Sequence, residues 1–281
     1  MAMPRSMTSR RRWGAWALTG GMAPVALLWL APLYLMVIFA TLPDYAIFSP
    51  ELPLTPGGHF WENLAFLDDT ASFGRAMLNS IGIATVSAAL SLMLTSMAGY
   101  AFARFRFVGK QATFSLLVAT LTVPYAVVII PQYVLVARDL GLSNTWIAVI
   151  VPPLFNSIGV LFMRQTFLSL PQELLDAARI DGAREGRIFF TIALPLVRPS
   201  MAALAIILFL ASWNNYLWPL LVATQPGART APVALGSLIG LNVVPWGALM
   251  TGAMLLTLPM LVVFIFLQRY FVAGITAGAV K

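Results

Sequence analysis

Few side chains in this sequence could carry out bond-making chemistry. The chain has no cysteine, which excludes a thiolate nucleophile, a disulfide framework and a cysteine-ligated metal. It has one histidine, His59. The acidic residues form no cluster with catalytic or metal-ligand spacing. The run Gly109-Lys110-Gln111 lacks both the leading glycine and the hydroxyl residue of a phosphate-binding loop. The sequence therefore predicts neither an enzyme nor an ATP site.

Uncharged polar and aromatic side chains lie instead inside long apolar runs. They are Gln132, Asn156, Trp213, Asn214, Asn215 and Tyr216. Polar groups are costly in a bilayer unless they face a partner or a water-lined cavity, so this set is a candidate substrate path. The alternative is that the asparagines bridge helices and the tryptophans pack or anchor at the interface. The residues alone leave both interpretations open.

A second candidate functional region is the segment 164–199, which is dense in charges of both signs. Pro171 followed by Gln172 and Glu173 is typical of a helix start, which Ser169 or Leu170 could cap. The pair Asp181-Gly182 predicts a sharp turn, because glycine accepts positive φ at little cost. A second short helix should follow and end before the next apolar run, stopped by prolines. Those prolines are Pro195 and Pro199.

The first of these helices is amphipathic. Leu174, Ala177 and Ala178 fall on one face at helical spacing. Three charged residues around that face are spaced for local ion pairing. They are Glu173, Asp176 and Arg179. Taken alone, two such helices are most simply a solvated connector lying on a membrane.

The elements that would position these residues are membrane-spanning helices. The chain is 60% hydrophobic and 10% charged, with a mean hydropathy of +0.87, which is too apolar for a soluble domain. A bilayer core of roughly 30 Å needs about 20 apolar helical residues. Six uncharged runs meet that length: 16–42, 76–103, 112–137, 145–163, 200–222 and 248–268. The predicted fold is an all-α polytopic membrane protein with one transmembrane domain over 16–271, and tails at 1–15 and 272–281.

Charge placement orients these spans. With the N-terminus inside, only Arg75, Arg138 and Arg229 of the 17 basic residues fall outside, which fits the positive-inside rule. The pI of about 10.2 therefore reflects topology and not nucleic-acid binding. The segment 43–74 should be an external loop or small cap, and 233–246 an external re-entrant or interfacial element. Prolines inside the later spans should kink their helices.

The charged loop carries a family resemblance. The run Asp176-Ala177-Ala178-Arg179-Ile180-Asp181-Gly182-Ala183, followed by Phe189-Phe190 and Leu194-Pro195-Leu196, resembles the cytoplasmic "EAA" signature of bacterial ABC importer permeases. Asp176 stands where that signature usually has glutamate. Residues 98–105, 213–219 and 268–274 extend the resemblance to the carbohydrate-uptake branch. Residues 40–43 and 56–64 are similar to the subset associated with glycerol-3-phosphate uptake.

The resemblance implies a set of partners in the bacterial inner membrane. They are a second homologous permease, two copies of a cytoplasmic ABC ATPase that bind the ATP and magnesium, and an extracytoplasmic solute-binding protein. No cofactor is expected on this chain itself. The loop between spans four and five would couple to the ATPase through eight residues. They are Glu173, Leu174, Asp176, Ala177, Ala178, Arg179, Asp181 and Gly182.

The cargo implied by the resemblance is a sugar, an oligosaccharide or a related polyol phosphate. No lysine or arginine lies deep in a predicted span, which favours a neutral sugar over a phosphate ester such as glycerol-3-phosphate or a glycerophosphodiester. A stand-alone secondary transporter is the rival class. Such proteins usually need an intramembrane carboxylate or histidine, and the predicted spans contain none.

Overall fold

The computed structural model describes the backbone of residues 9–279 and the side chains of residues 21–22 and 24–266. The outermost parts of both predicted tails and the side chains of 268–274 lie outside the described residues. Every regular element within the described ranges is helical, as the all-α prediction requires.

The α-helices share one numbering in chain order. They are α1 (Ser9–Phe39), α2 (Asp44–Ile47), α3 (Phe60–Ala71), α4 (Phe73–Arg104), α5 (Lys110–Ala119), α6 (Tyr125–Tyr133), α7 (Trp146–Ile150), α8 (Ser157–Leu168), α9 (Gln172–Ile180), α10 (Glu185–Ile188), α11 (Leu194–Leu196), α12 (Arg198–Trp213), α13 (Leu217–Val222), α14 (Ala231–Ser237) and α15 (Trp246–Ala279). Short 3-10 or π-helical turns extend several of them. The chain divides into two compact units, Met1–Thr70 with Leu238–Leu255, and Ala71–Ser237 with Leu256–Lys281.

The first unit is held together by side chains that bond to the turn after α1. The Asn63 side-chain amide donates to the carbonyls of Ala40 and Leu42, each at 3.0 Å. Asp44 accepts from the backbone N–H of Gly247 at 2.8 Å. The expectation of a turn-rich loop over 43–74 holds only in its first half, because α3 is a regular helix of 12 residues. The prolines and glycines end at residue 58, and the sequence that follows is free to form a helix.

In the second unit, α4 packs against both α8 and α12. A β-carbon on Gly99 would lie 2.7 Å from Cβ of Met163 and 2.8 Å from the backbone nitrogen of Arg164. A β-carbon on Gly159 would lie 2.9 Å from the Thr95 methyl. The backbones of α4 and α8 therefore approach closely through small residues, as is common between helices in membranes.

Three pairs of helical segments are sharply bent. Lys110–Thr122 meets Tyr125–Asp139 at 99°, Trp146–Leu154 meets Ser157–Leu168 at 48°, and Glu185–Leu196 meets Arg198–Trp213 at 83°. Pro124 explains the first bend and the pair Pro152-Pro153 the second, as predicted. A proline lacks an N–H and restricts the conformation of the residue before it.

The prolines of the charged loop differ in their effect. The helix after the turn ends at Leu196, one residue after Pro195 and before the 200–222 run, as expected, whereas Pro199 lies in the first turn of α12 and does not end a helix. The 200–222 run is not continuous, because the helix stops at Trp213 and restarts at Leu217. Pro219 accounts for this break, since its ring excludes a normal helical bond to the carbonyl four residues earlier.

Within the described residues, Phe73–Arg104 and Trp246–Phe266 are long and apolar enough to cross a membrane, and the total is up to five if each bent pair is one span. The shorter apolar helix Pro24–Phe39 lies within the first predicted span. The 233–246 segment begins inside another short apolar helix, Ala231–Gly240.

Candidate functional site

Helix α9 has a buried side and an exposed side. Leu175 and Ala178 are buried in an apolar cluster with Phe167, Ile188 and Phe189, which joins α9 to the end of α8 and to the segment after α10. The sequence prediction missed Leu175, the residue that anchors the helix. The signal was present, since Leu175 and Ala178 are three residues apart and so share a face.

The turn after α9 is a complete Schellman motif. Gly182 has a φ of +78°, which favours glycine. Its N–H donates to the carbonyl of Arg179 at 3.0 Å, and the N–H of Ala183 donates to the carbonyl of Ala178 at 3.0 Å. These two bonds satisfy carbonyls that a helix end leaves free. The predicted turn at Asp181-Gly182 is therefore confirmed.

One arginine links α9 to α10 across that turn. Nη1 of Arg179 donates to Asp176 at 2.6 Å, and Nε and Nη2 donate to the two carboxylate oxygens of Glu185 at 2.6 and 3.3 Å. Hydrogen bonds from Arg179 and Gln172 hold the pKa of the exposed Asp176 carboxyl below its ordinary value. The carboxylates, Glu185 first, raise the pKa of Arg179. The predicted pairing of Asp176 with Arg179 is confirmed, whereas the stronger partner, Glu185, was missed.

Helix α9 also forms one wall of a groove of about 420 Å3. Four residues predicted for the coupling loop line it together: Leu174, Ala177, Ala178 and Asp181. The opposite wall comes from the helix that follows the turn. Its residues are Thr191, Ile192, Pro195 and Leu196. Glu173 is exposed and is not among the lining residues.

A larger cavity of about 580 Å3 lies elsewhere in the second unit. Segments from α4, α6, α8, α12 and the turns beside them line it. Its lining contains hydroxyls, amides and apolar groups, and no described lining residue is charged. These residues are Ser87, Ser91, Thr120, Leu121, Val123, Tyr125, Val128, Gln132, Pro152, Pro153, Phe155, Asn156, Ser157, Ile158, Leu208, Ala211, Ser212, Asn215 and Trp218.

The predicted substrate-path residues separate into two groups. Gln132, Asn156 and Asn215 line the cavity together. Three others are not among its lining residues and make packing or backbone contacts instead. Trp213 stacks on Phe209 at 5.8 Å, Asn214 donates to the carbonyl of Leu210 at 2.9 Å, and Tyr216 lies against Gly236.

The cavity also contains polar groups that sequence inspection missed. Small hydroxyls account for most of them: Ser87, Ser91, Thr120, Ser157 and Ser212. Single serines and threonines are frequent in apolar helices, so nothing in the sequence marks these five. Trp218 also lines the cavity, and its Nε1 donates to the carbonyl of Ala148 at 2.9 Å.

The fold and these two sites define a class of protein: a helical membrane permease with a short amphipathic helix and turn between two bent helical pairs. A family model described as "binding-protein-dependent transport system inner membrane component" matches residues 91–277. The chain belongs to this family, whose members are subunits of transport systems and not enzymes.

Full-length relatives agree with the family. The arabinooligosaccharides transport system permease protein AraQ of Halalkalibacterium halodurans is 38% identical over 95% of this chain and 96% of its own length. The lactose transport system permease protein LacG of Rhizobium radiobacter is 36% identical over 91% and 92%. The sn-glycerol-3-phosphate transport system permease protein UgpE of Yersinia pestis is 34% identical over 89% and 91%.

A solved structure confirms the fold. A chain of a bacterial ABC transporter involved in the import of the acidic polysaccharide alginate superposes with a TM-score of 0.76 at 22% identity. The match covers 96% of this chain and 100% of that chain.

Proposed function

We propose that this chain is one of two permease subunits of an ATP-driven importer and forms half of the membrane path for a sugar or oligosaccharide. Family membership supports the transport role, and the relatives that match nearly the whole chain include two proteins named as sugar permeases. In this proposal the chain crosses the bacterial inner membrane six times with both termini in the cytoplasm. The distribution of lysine and arginine supports that orientation. A solute-binding protein outside and two ATPase copies inside complete the complex.

The ATPase docks on the exposed side of α9 in this proposal. The observation that carries it is a short helix held by one buried leucine, ended by a Schellman turn, with an exposed groove beside it. Asp176 and Arg179 pair with each other, so we assign the ATPase contact first to the groove residues Leu174, Ala177 and Asp181.

Two glycines near the turn offer a matched test. A β-carbon at either Gly182 or Gly186 would meet no atom within 4 Å, but of the two only Gly182 has a positive φ. Gly182→Trp should strain the turn and place a bulky group against the ATPase, so that ATP hydrolysis no longer drives transport in the reconstituted complex. Gly186→Trp is the control for bulk alone. Transport at the wild-type rate by Gly182→Trp would reject the coupling role of the loop.

For the cargo, we propose an uncharged sugar that passes along the 580 Å3 cavity. The hydroxyl and amide groups of the lining suit sugar hydroxyls, and the lining offers no cation for a phosphate. Glycerol-3-phosphate is the second candidate, because the relatives named for its uptake match nearly the whole chain.

Reconstitution in liposomes with the partner permease, ATPase and binding protein decides between these candidates. Uptake of radiolabelled sugars and of glycerol-3-phosphate is compared with and without ATP. ATP-dependent uptake of a neutral oligosaccharide supports the proposal, and uptake of the phosphate ester alone would replace it by the second candidate. Uptake without any ATPase subunit would place the chain among secondary transporters.

A further inference from the structure

Arg104, the last residue of α4, contacts two different elements of the charged loop with one guanidinium. Its Nη2 donates to the backbone carbonyls of Phe167 at 2.5 Å and Leu170 at 2.6 Å, at the end of α8. Its Nη1 donates to Oε1 of Gln172 at 2.5 Å, the first residue of α9. A cation suits this place, because helix C-termini leave carbonyls free and carry partial negative charge.

The contact with Gln172 is the first link of a continuous chain of hydrogen bonds. The side-chain amide of Gln172 donates to Asp176 at 3.0 Å. Asp176 in turn accepts from Arg179, which bonds to Glu185 beyond the Gly182 turn. Arg104 therefore stands at one end of a polar network that runs along the whole of α9 into α10.

Arg104 also belongs to a closely packed helix pair. The close backbone approach of α4 and α8 at Gly99 leaves no space for a side chain between them. One turn before Arg104, the ring of Tyr100 packs edge-to-face on Phe167 at 5.2 Å and against Phe189 at 5.1 Å. The end of α4 is thus packed against α8 and against the segment after α10.

We propose that Arg104 is a positioning residue that transmits displacement of α9 to the α4–α8 pair. The proposal rests on the assignment of α9 as the ATPase-docking helix. Displacement of α9 acts on Gln172, and Arg104 transmits it to the α8 end and to its own helix. Arginine suits this role better than lysine, because its planar fork donates in several fixed directions.

The first experiment compares Arg104→Ala with Arg106→Ala in the complete complex reconstituted in liposomes. Both changes remove one positive charge close to the end of α4, and Arg106 is exposed. Arg104→Ala should lower transport per ATP hydrolysed by about tenfold, since hydrogen bonds to charged groups are among the stronger ones. Arg106→Ala should leave this ratio unchanged. An unchanged ratio in Arg104→Ala, or an equal loss in both variants, overturns the proposal.

A second variant separates coupling from folding. Gln172→Leu removes the link to α9 but keeps the bonds from Arg104 to the α8 carbonyls. It should assemble normally and still lower transport per ATP severalfold. If Arg104→Ala fails to assemble, Gln172→Leu decides the matter, and a wild-type ratio in that variant overturns the proposal.

The absence of native cysteine permits a rescue experiment. The double variant Arg104→Cys, Gln172→Cys is treated with a flexible bis-methanethiosulfonate reagent, which replaces the polar contact by a covalent link. Crosslinking should restore much of the lost coupling, and reduction should remove it again. A complete crosslink without recovery contradicts the positioning role.

Gly182→Trp keeps the two proposals distinguishable. If it uncouples the complex while Arg104→Ala does not, only the role of Arg104 is rejected. If Gly182→Trp transports at the wild-type rate, the docking function of the loop is rejected, and the role of Arg104, which rests on it, is rejected with it.

Discussion

The network on α9 and the large cavity differ in how they are built. The network uses the full charges of Asp176, Arg179 and Glu185, which lie on one short segment and pair at the surface, and Gln172 joins them to Arg104. The cavity uses uncharged groups supplied by α4, α6, α8, α12 and adjacent turns. In the proposed function the first region receives force and the second accommodates cargo. Changes in the cavity should then obstruct the cargo, whereas changes in the network should disconnect ATP hydrolysis from transport.

The largest effect should come from filling the cavity. Val127 and Val128 are neighbours on α6, both exposed, but only Val128 lines the cavity. Val128→Trp should lower the maximal transport rate by about tenfold or more, because the indole occupies the space the cargo needs. ATP hydrolysis stimulated by the binding protein should continue.

Val127→Trp is the matched control and should transport near the wild-type rate. The two regions would not be separable if Val128→Trp abolished transport and ATP hydrolysis together while the protein remained assembled. Equal losses in both tryptophan variants would argue against the cavity as the cargo path.

A smaller effect is expected at Asn156, where the two sequence-based interpretations can be separated. Its Oδ1 accepts from the N–H of Gly159 at 2.7 Å and so caps α8. Asn156→Ala should destabilise the protein by about 1 kcal/mol, whereas Asn156→Ser, which can still cap, should lose less. Thermal unfolding in detergent measures this. A loss of cargo affinity without loss of stability would instead indicate direct contact with cargo.

The smallest effect concerns the protonation of Asp176. Arg179 and Gln172 lower its pKa, so its pairing contributes fully above the ordinary carboxyl pKa and is lost only as pH falls through the lowered value. A carbon-13 carboxyl titration should therefore place the Asp176 midpoint below the ordinary aspartate value of about 3.9. In Arg179→Ala the midpoint should rise. Asp176→Asn identifies the signal, and an unmoved midpoint would contradict the pairing.

The helical fold was largely predictable because span length and hydropathy follow from the bilayer itself. The break within 200–222 was not predicted, since Pro219 was expected only to kink a continuous helix. Helix α3 was missed because the whole segment 43–74 was predicted to be a loop or small cap from the prolines and glycines that precede this helix.

The loop could be predicted better than the cavity for a physical reason. Its turn and its Asp176–Arg179 pair are local, so spacing along the chain reports distance in space. The cavity depends on long-range packing, which brings Ser87, Gln132 and Ser212 together from three helices. Tyr216 was predicted for the substrate path but is not among the residues that line the cavity, for the same reason: its partner, Gly236, belongs to another helix.

The close approach at Gly99 has a consequence for how the cavity could change size. Because α4 and α8 pack closely at Gly99 and Gly159, we expect the wall they provide to keep its dimensions. Other lining residues belong to α6, beyond the 99° bend, and to α12, which ends at the break before α13. Descendants of this sequence selected for a bulkier or slimmer cargo should therefore acquire their substitutions mainly on α6 and α12, with the glycines of the α4–α8 crossing retained.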